Sequence, residues 1–362
     1  MIKHPRSGHH FTDEYRRRVR MRKILLHRQY KHILSPEGGV SITARLAIPV
    51  LLFILLNGCI TPLPQSGDTP SGTYIKKLPI TVMGVRRSYL VHVPPDYQTA
   101  GSLPLVVVIH GAFSTAGEFE RQSGFSELAD REKFIVVYPN GAYGILGFLQ
   151  HWNAGHCCGK AAAENINDTG FLDAVIADVS ERLTIDTHRV YMVGFSNGGM
   201  MAYRYAAERS EVVAAMAAVA ASIGGRASEV DPVWVIPPPA RPVPLIAFHG
   251  EEDRNVPYDG GRSPAKEGTR EYFSVEQSIN FWVQHNKCLE VPRRDALYNG
   301  LISRQIWGDK VRDECVVLFS LEEWGHIWPG TYFTDSLEDD NPLKGFEAAE
   351  IIWQFLRGQT RE

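Results

Sequence analysis

Long apolar runs, cysteine and concentrated positive charge are all scarce in this sequence, and each shortage narrows what the chain can be. The one sustained apolar stretch, Ala44 to Cys59, holds roughly a dozen apolar residues, whereas a helix crossing a bilayer needs about 20. It fits the hydrophobic part of an export signal better than a membrane span. Basic residues cluster only at the start: residues 1–45 carry 11 Lys/Arg against 3 Asp/Glu, leaving 27 against 38 in the remainder, a net of −11. An acidic body without a basic stripe excludes nucleic acid as a partner, because phosphate binding needs Lys and Arg gathered on one face. Internal repeats and low-complexity tracts are missing too. What remains is a 362-residue chain, 44% hydrophobic, with ample material for one large core.

The N-terminal region divides by composition. Residues 1–58 read as a leader with a basic extension and residues 59–74, rich in Pro, Gly and Ser, as a tether; residues 75–362 read as the catalytic domain. Leu56-Asn57-Gly58-Cys59 resembles the bacterial lipobox, in which the cysteine is lipidated and becomes the new N-terminus. The expected location is therefore outside the cytoplasm, either with the membrane as partner through a lipid or an uncleaved anchor, or secreted after removal of an ordinary signal peptide. The long basic extension raises a second expectation, that synthesis starts at Met21 or Val40. With Cys59 used by lipid, four cysteines are left, Cys157, Cys158, Cys288 and Cys315, an even number that fits disulfides in an exported protein.

Within the body, β-branched apolar runs alternate with helix-like segments. Strands are expected at 87–93, 105–109, 134–138, 189–193, 215–219, 245–248 and 316–319, and helices at 118–131, 168–182, 197–208, 275–286 and 344–357. Several strand runs are unbroken rather than alternating, the pattern of strands buried on both faces. Strand–helix alternation of this kind gives a doubly wound, mostly parallel α/β fold. Six prolines between Asp231 and Pro244 make that stretch a surface loop.

Chemistry concentrates at Gly194-Phe195-Ser196-Asn197-Gly198, which falls between a strand and a helix. A serine lifted on so tight a turn needs glycine on both sides, and the following helix points its positive end at the hydroxyl. Ser196 is the expected nucleophile, and it needs a base to remove its proton. Only His249, His285 and His326 follow it. His249 ends a strand and His285 lies within a helix, whereas His326 sits just past the last strand, where a loop can lean over the serine. Asp253, in the His249-Gly250-Glu251-Glu252-Asp253 turn, is the expected acid that holds the histidine tautomer; Glu251 and Glu252 read as solvated. Backbone amides of Asn197 and Ala112 are expected to form the oxyanion hole.

These residues together resemble the polyhydroxybutyrate depolymerase and feruloyl esterase-like family of α/β-hydrolases, which includes bacterial lipoprotein esterases. The resemblance spans roughly residues 75–357 and rests on ordered motifs: His110-Gly111, Trp152 to Gly159, Asn167 to Leu172, Ile185 to Met200, His249 to Asp253, and Gly325 to Gly330. It implies an α/β-hydrolase fold, a Cys288–Cys315 disulfide and a Trp152–Gly159 loop at the mouth of the site. Cys157 and Cys158 either bridge to each other or stay reduced. The sequence departs from the family's Gly-Gly-Gly-His run by placing Glu323 and Trp324 before Gly325-His326.

The expected reaction is two-step acyl transfer on a carboxylic ester of hydroxyalkanoate, feruloyl or acetyl type. It needs no metal and no organic cofactor. Trp152 and Trp328 are candidates for an apolar substrate wall. Competing readings are a serine peptidase or acyltransferase on the same scaffold, or an inactive surface-tethered binding protein.

Overall fold

The computed structural model describes residues 61–62, 69–82, 84–142, 149–266, 269–310 and 313–361. The expectations placed on the 1–58 leader, Met21, Val40 and Cys59 lie outside them. In chain order the strands are β1 (Thr61–Pro62), β2 (Gly72–Val82), β3 (Val85–Val93), β4 (Leu103–Ile109), β5 (Ile135–Pro139), β6 (Ile185–Phe195), β7 (Ala215–Val219), β8 (Gly224–Arg226), β9 (Trp234–Val235) and β10 (Leu245–Gly250). They continue with β11 (Gly261–Arg262), β12 (Glu271–Tyr272), β13 (Arg293–Leu297), β14 (Ile302–Trp307) and β15 (Val316–Leu321). The helices are α1 (Ala116–Ser123), α2 (Phe125–Glu132), α3 (Gly159–Ala163), α4 (Asp168–Arg182), α5 (Asn197–Glu208), α6 (Val275–His285), α7 (Thr331–Thr334) and α8 (Ala348–Leu356).

Among the described residues the main sheet runs β1-β2-β3-β5-β4-β6-β7-β10-β15-β14-β13. Its centre, β5 through β15, is parallel. The hairpin β2–β3 and the pair β13–β14 extend it with antiparallel strands. Consecutive residues of β4 go to opposite faces: Leu105, Val107 and Ile109 join the core under α4, α5 and α6, while Val106 and Val108 join the core under α1, α2 and α8. A strand covered on both faces must be apolar throughout, and all seven residues of β4 are buried.

The chain leaves β4 toward β5 on one side and later adds β6 on the other. The connections leaving the carboxyl ends of β4 and β6 therefore run in opposite directions, and the crevice outside such a switch point is the usual ligand site of a doubly wound sheet. A small second sheet, β11-β12-β8-β9, is carried by the segments after β7 and β10.

Several boundaries differ from expectation. The sheet begins at Thr61, inside the 59–74 segment read as tether: Thr61 and Pro62 pair with Tyr74 and Ile75, and Gly72 to Lys77 pair with Val93 to Ser88. The expected helix at 118–131 is two helices: Gly124 has φ 72°, ending α1 and starting α2, a backbone state that glycine adopts without steric cost. Trp234 and Val235 of the proline-rich stretch pair with Gly225 and Gly224. The Cys288–Cys315 disulfide is present, joining the end of α6 to the start of β15. Cys157 and Cys158 are bonded to each other across a cis peptide.

Candidate active site

Ser196 sits between β6 and α5 with φ 54° and ψ −123°, a strained backbone for a residue with a side chain. The turn is locked: its amide donates to Val219 O at 2.8 Å, and its carbonyl accepts from Met200 N at 2.9 Å. Both flanking glycines are required by contact. A Cβ on Gly194 would strike the Gly198 carbonyl, and one on Gly198 would strike the carbonyl oxygens of Ile109 and His110. The second collision shows why the end of β4 and the start of α5 can lie so close.

His326 follows β15 and reaches back over this turn. Its Nε2 lies 2.8 Å from Ser196 Oγ and its Nδ1 2.7 Å from Asp253 Oδ2. A carboxylate only accepts, so Nδ1 carries the proton and Nε2 is left to accept from the serine hydroxyl. The other oxygen of Asp253 is tied down by the amides of Asn255 at 2.8 Å and Val256 at 2.9 Å, which aims Oδ2 at the imidazole. The two loops are stitched together, because Glu252 N donates to Trp324 O at 3.0 Å and Glu251 N to Leu321 O at 3.0 Å.

The electrostatics agree with the geometry. The Asp253 side chain has no solvent exposure, and burial alone would raise its pKa. The hydrogen bond and charge of His326, reinforced by His249, outweigh burial and hold the carboxyl below its ordinary value. His249 lies 3.5 Å from Asp253 Oδ2 while its Nε2 donates to Val256 O at 2.8 Å. Sequence reading assigned it no part; its spacing four residues before Asp253 was the available signal.

The expected oxyanion donors fall at the crevice. Asn197 is the first residue of α5, so its amide has no partner within the helix. Ala112 follows Gly111, whose Cβ position is 3.4 Å from Ser196 Cβ. Ser196, Asp253, His326, Asn197 and Ala112 are thus gathered at one end of β4, β6, β10 and β15.

Trp152 and Trp328 require a correction. Trp152 is fully buried and Trp328 only 6% exposed; the second packs edge-on against Phe119 and Phe195. Neither presents a face to a substrate. Among the described residues, exposed apolar side chains next to the site include Phe113 and Ile327, immediate neighbours of Ala112 and His326, and that adjacency was the missed signal. At Glu323-Trp324, where the sequence departs from the family's glycine run, the Trp324 indole turns inward, donates to Ile327 O at 3.0 Å and packs on Phe333.

Comparison with known proteins places residues 87–249 on the family model described as Esterase PHB depolymerase. That span contains Ser196 and both expected oxyanion donors but stops short of Asp253 and His326. The chain is 28% identical over 267 residues to a putative esterase NocK from Nocardia uniformis subsp. tsuyamanensis, covering 70% of this chain and 74% of that protein. It is 28% identical over 217 residues to feruloyl esterase B of Piromyces equi, covering 58% of this chain and 37% of that protein. Against a solved acetyl xylan esterase from Aspergillus awamori the TM-score is 0.49 at 15% identity, covering 70% of this chain and 94% of that one.

Proposed function

We propose that this carboxylic ester hydrolase of α/β-hydrolase fold belongs to the PHB depolymerase family of esterases, with its site working as follows. Ser196 attacks the ester carbonyl while His326 Nε2 takes the hydroxyl proton. A C–O bond forms to Ser196, and negative charge builds on the former carbonyl oxygen, facing the amides of Asn197 and Ala112. His326 returns the proton to the leaving alcohol as the ester C–O bond breaks. Water then attacks the acyl-serine with His326 again as base, releasing the acid and restoring the hydroxyl. Asp253 stays ionised throughout and holds the imidazole tautomer.

The observation that carries this reading is the unbroken pair of hydrogen bonds, 2.8 Å from Ser196 Oγ to His326 and 2.7 Å from His326 to Asp253. Phe113 and Ile327, not the two tryptophans, are assigned the apolar walls beside the scissile bond. Export, with Cys59 as a lipid attachment point, is part of the same proposal. Its support is that all four cysteines of the described body are disulfide-bonded, a state favoured outside the reducing cytosol.

The test is a panel of acetyl, feruloyl and hydroxybutyrate esters alongside a peptide amide, run on the parent and on Ser196→Ala. Ester turnover and fluorophosphonate labelling are expected in the parent and lost in the variant, with folding retained. Amide cleavage in preference to ester cleavage, or turnover above a few per cent in Ser196→Ala, overturns the assignment.

A further inference from the structure

We propose that His110, Trp152 and Asn197 act through their side chains as positioning residues, forming one buried brace that sets the aim of both oxyanion donors. The proposal rests on the ester-hydrolase reading above and assigns a purpose to the Trp152 loop that substrate contact does not supply.

The brace starts at the nucleophile turn. The Asn197 carboxamide grips the Trp152 backbone from both sides: its Oδ1 accepts from Trp152 N at 2.8 Å and its Nδ2 donates to Trp152 O at 3.1 Å. Asn197 is 1% exposed and Trp152 fully buried, so water does not compete for these bonds. The Trp152 indole in turn donates from Nε1 to His110 O at 3.0 Å. One residue thereby connects the turn after β6 to the loop after β4, and each of those elements carries one proposed donor.

His110 completes the brace. Its Nδ1 lies 2.7 Å from Gly111 O, and its Nε2 receives the Gly141 amide at 3.1 Å. A carbonyl can only accept and an amide N–H can only donate, so the two partners together require a neutral imidazole with its proton on Nδ1. Burial favours the same state and lowers the pKa to about 4. The carbonyl that His110 holds belongs to the peptide unit whose N–H is that of Ala112. In a trans peptide the C=O and N–H point in opposite directions, so fixing the Gly111 oxygen fixes the direction of the Ala112 donor.

The brace is itself anchored. Asn153 N donates to Asp168 Oδ2 at 2.7 Å, and Asp168 forms a buried ion pair with Arg87 at 2.8 Å. The Arg87 guanidinium lies 3.8 Å above the Phe171 ring, which stacks on Trp152. Oxyanion donors act only when aimed at the developing charge, and a misplacement near 1 Å can cost about 100-fold.

Trp152→Phe removes the indole N–H while keeping most of the ring. Its kcat, referred to sites titrated with a fluorophosphonate, is expected to fall about 10- to 100-fold with KM within about twofold of the parent. Affinity for a boronic acid that forms a tetrahedral adduct on serine should fall in parallel. His110→Leu and His110→Asn form a second arm: only the asparagine keeps a donor for Gly111 O, so it should recover most of the rate that the leucine loses. Per-site kcat and boronate affinity unchanged in Trp152→Phe, with only the melting temperature lowered, overturn the brace. Equal losses in the two His110 variants, both folded, overturn it as well. If the parent neither hydrolyses esters nor reacts with the fluorophosphonate, the underlying reading fails instead, and the two failures are distinguishable.

Discussion

Replacing Asp253 by asparagine is expected to disable the site without disturbing the fold, for a reason visible in its hydrogen bonds. Asp253 uses Oδ1 to accept two amides, from Asn255 and Val256, and Oδ2 to face His326 Nδ1 at 2.7 Å. The asparagine of Asp253→Asn has one oxygen, and only that oxygen can satisfy the two amides. Its NH2 must then face His326, and because it donates, Nδ1 must accept. The imidazole proton moves to Nε2, which now points a hydrogen at Ser196 Oγ and cannot remove one. His249 offers no substitute, since its Nε2 is committed to Val256 O. The same exchange in serine-protease triads costs about 10⁴ in kcat, or ~5.4 kcal/mol of barrier. Initial rates on a p-nitrophenyl ester, paired with thermal melts, measure both sides: kcat should fall about four orders of magnitude while the melting temperature stays near that of the parent. A folded Asp253→Asn variant retaining more than a tenth of parental kcat would refute the tautomer argument.

Acid should destabilise the protein before it reaches the carboxylates. Burial lowers His110 to about 4 and His156 to about 3 from 6.5, so below pH 6.5 the unfolded chain takes up protons that the folded chain refuses. Each tenfold separation is ~1.4 kcal/mol, giving losses of about 3 kcal/mol from His110 by pH 4 and about 5 kcal/mol from His156 by pH 3. Urea unfolding at pH 7 and pH 4.5 tests this, and equal free energies at both values would count against it. Converting Cys288 and Cys315 to alanine opens a loop with a sequence separation of 27, expected to cost about 3–4 kcal/mol; a melt unchanged under non-reducing conditions would contradict that. Gly198→Ala places a methyl against the carbonyl oxygens of Ile109 and His110. It should yield inactive or insoluble protein, and an active, folded variant would show that the turn has room that the packing denies.

The parallel centre of the sheet was legible because unbroken apolar runs such as Leu105 to Ile109 have no other soluble home. Of its antiparallel margins only β3, expected at 87–93, was legible, and β2 and β13 were not. Four of the five residues of β13 are exposed, and β2 carries Lys76 and Lys77, so their pairing is decided by neighbours distant in sequence. That Ser196, Asp253 and His326 would meet was readable from chain order and local turn chemistry, since a strand end fixes where a following loop can go. Trp152 and Trp328 were misassigned for the opposite reason: a tryptophan has the same composition signal in a core as on a wall, and only packing separates the two. His110 was legible only as part of the His110-Gly111 motif, because its tautomer depends on Gly141, thirty-one residues away.

Six consecutive pairs join β10 to β15, from Leu245 with Val316 to Gly250 with Leu321, and Phe248 stacks on Phe319 at 4.6 Å in the middle of that ladder. The carboxylate and the imidazole leave this pair of strands within five residues of the last rung, so the sheet indexes one against the other like teeth on a rack. A slip of one tooth would move the histidine by about 3.3 Å, more than any hydrogen bond tolerates. A change of ring size at Phe248 or Phe319, far beneath the surface, is therefore expected to be felt as lost turnover, because it shifts one row of teeth against the other.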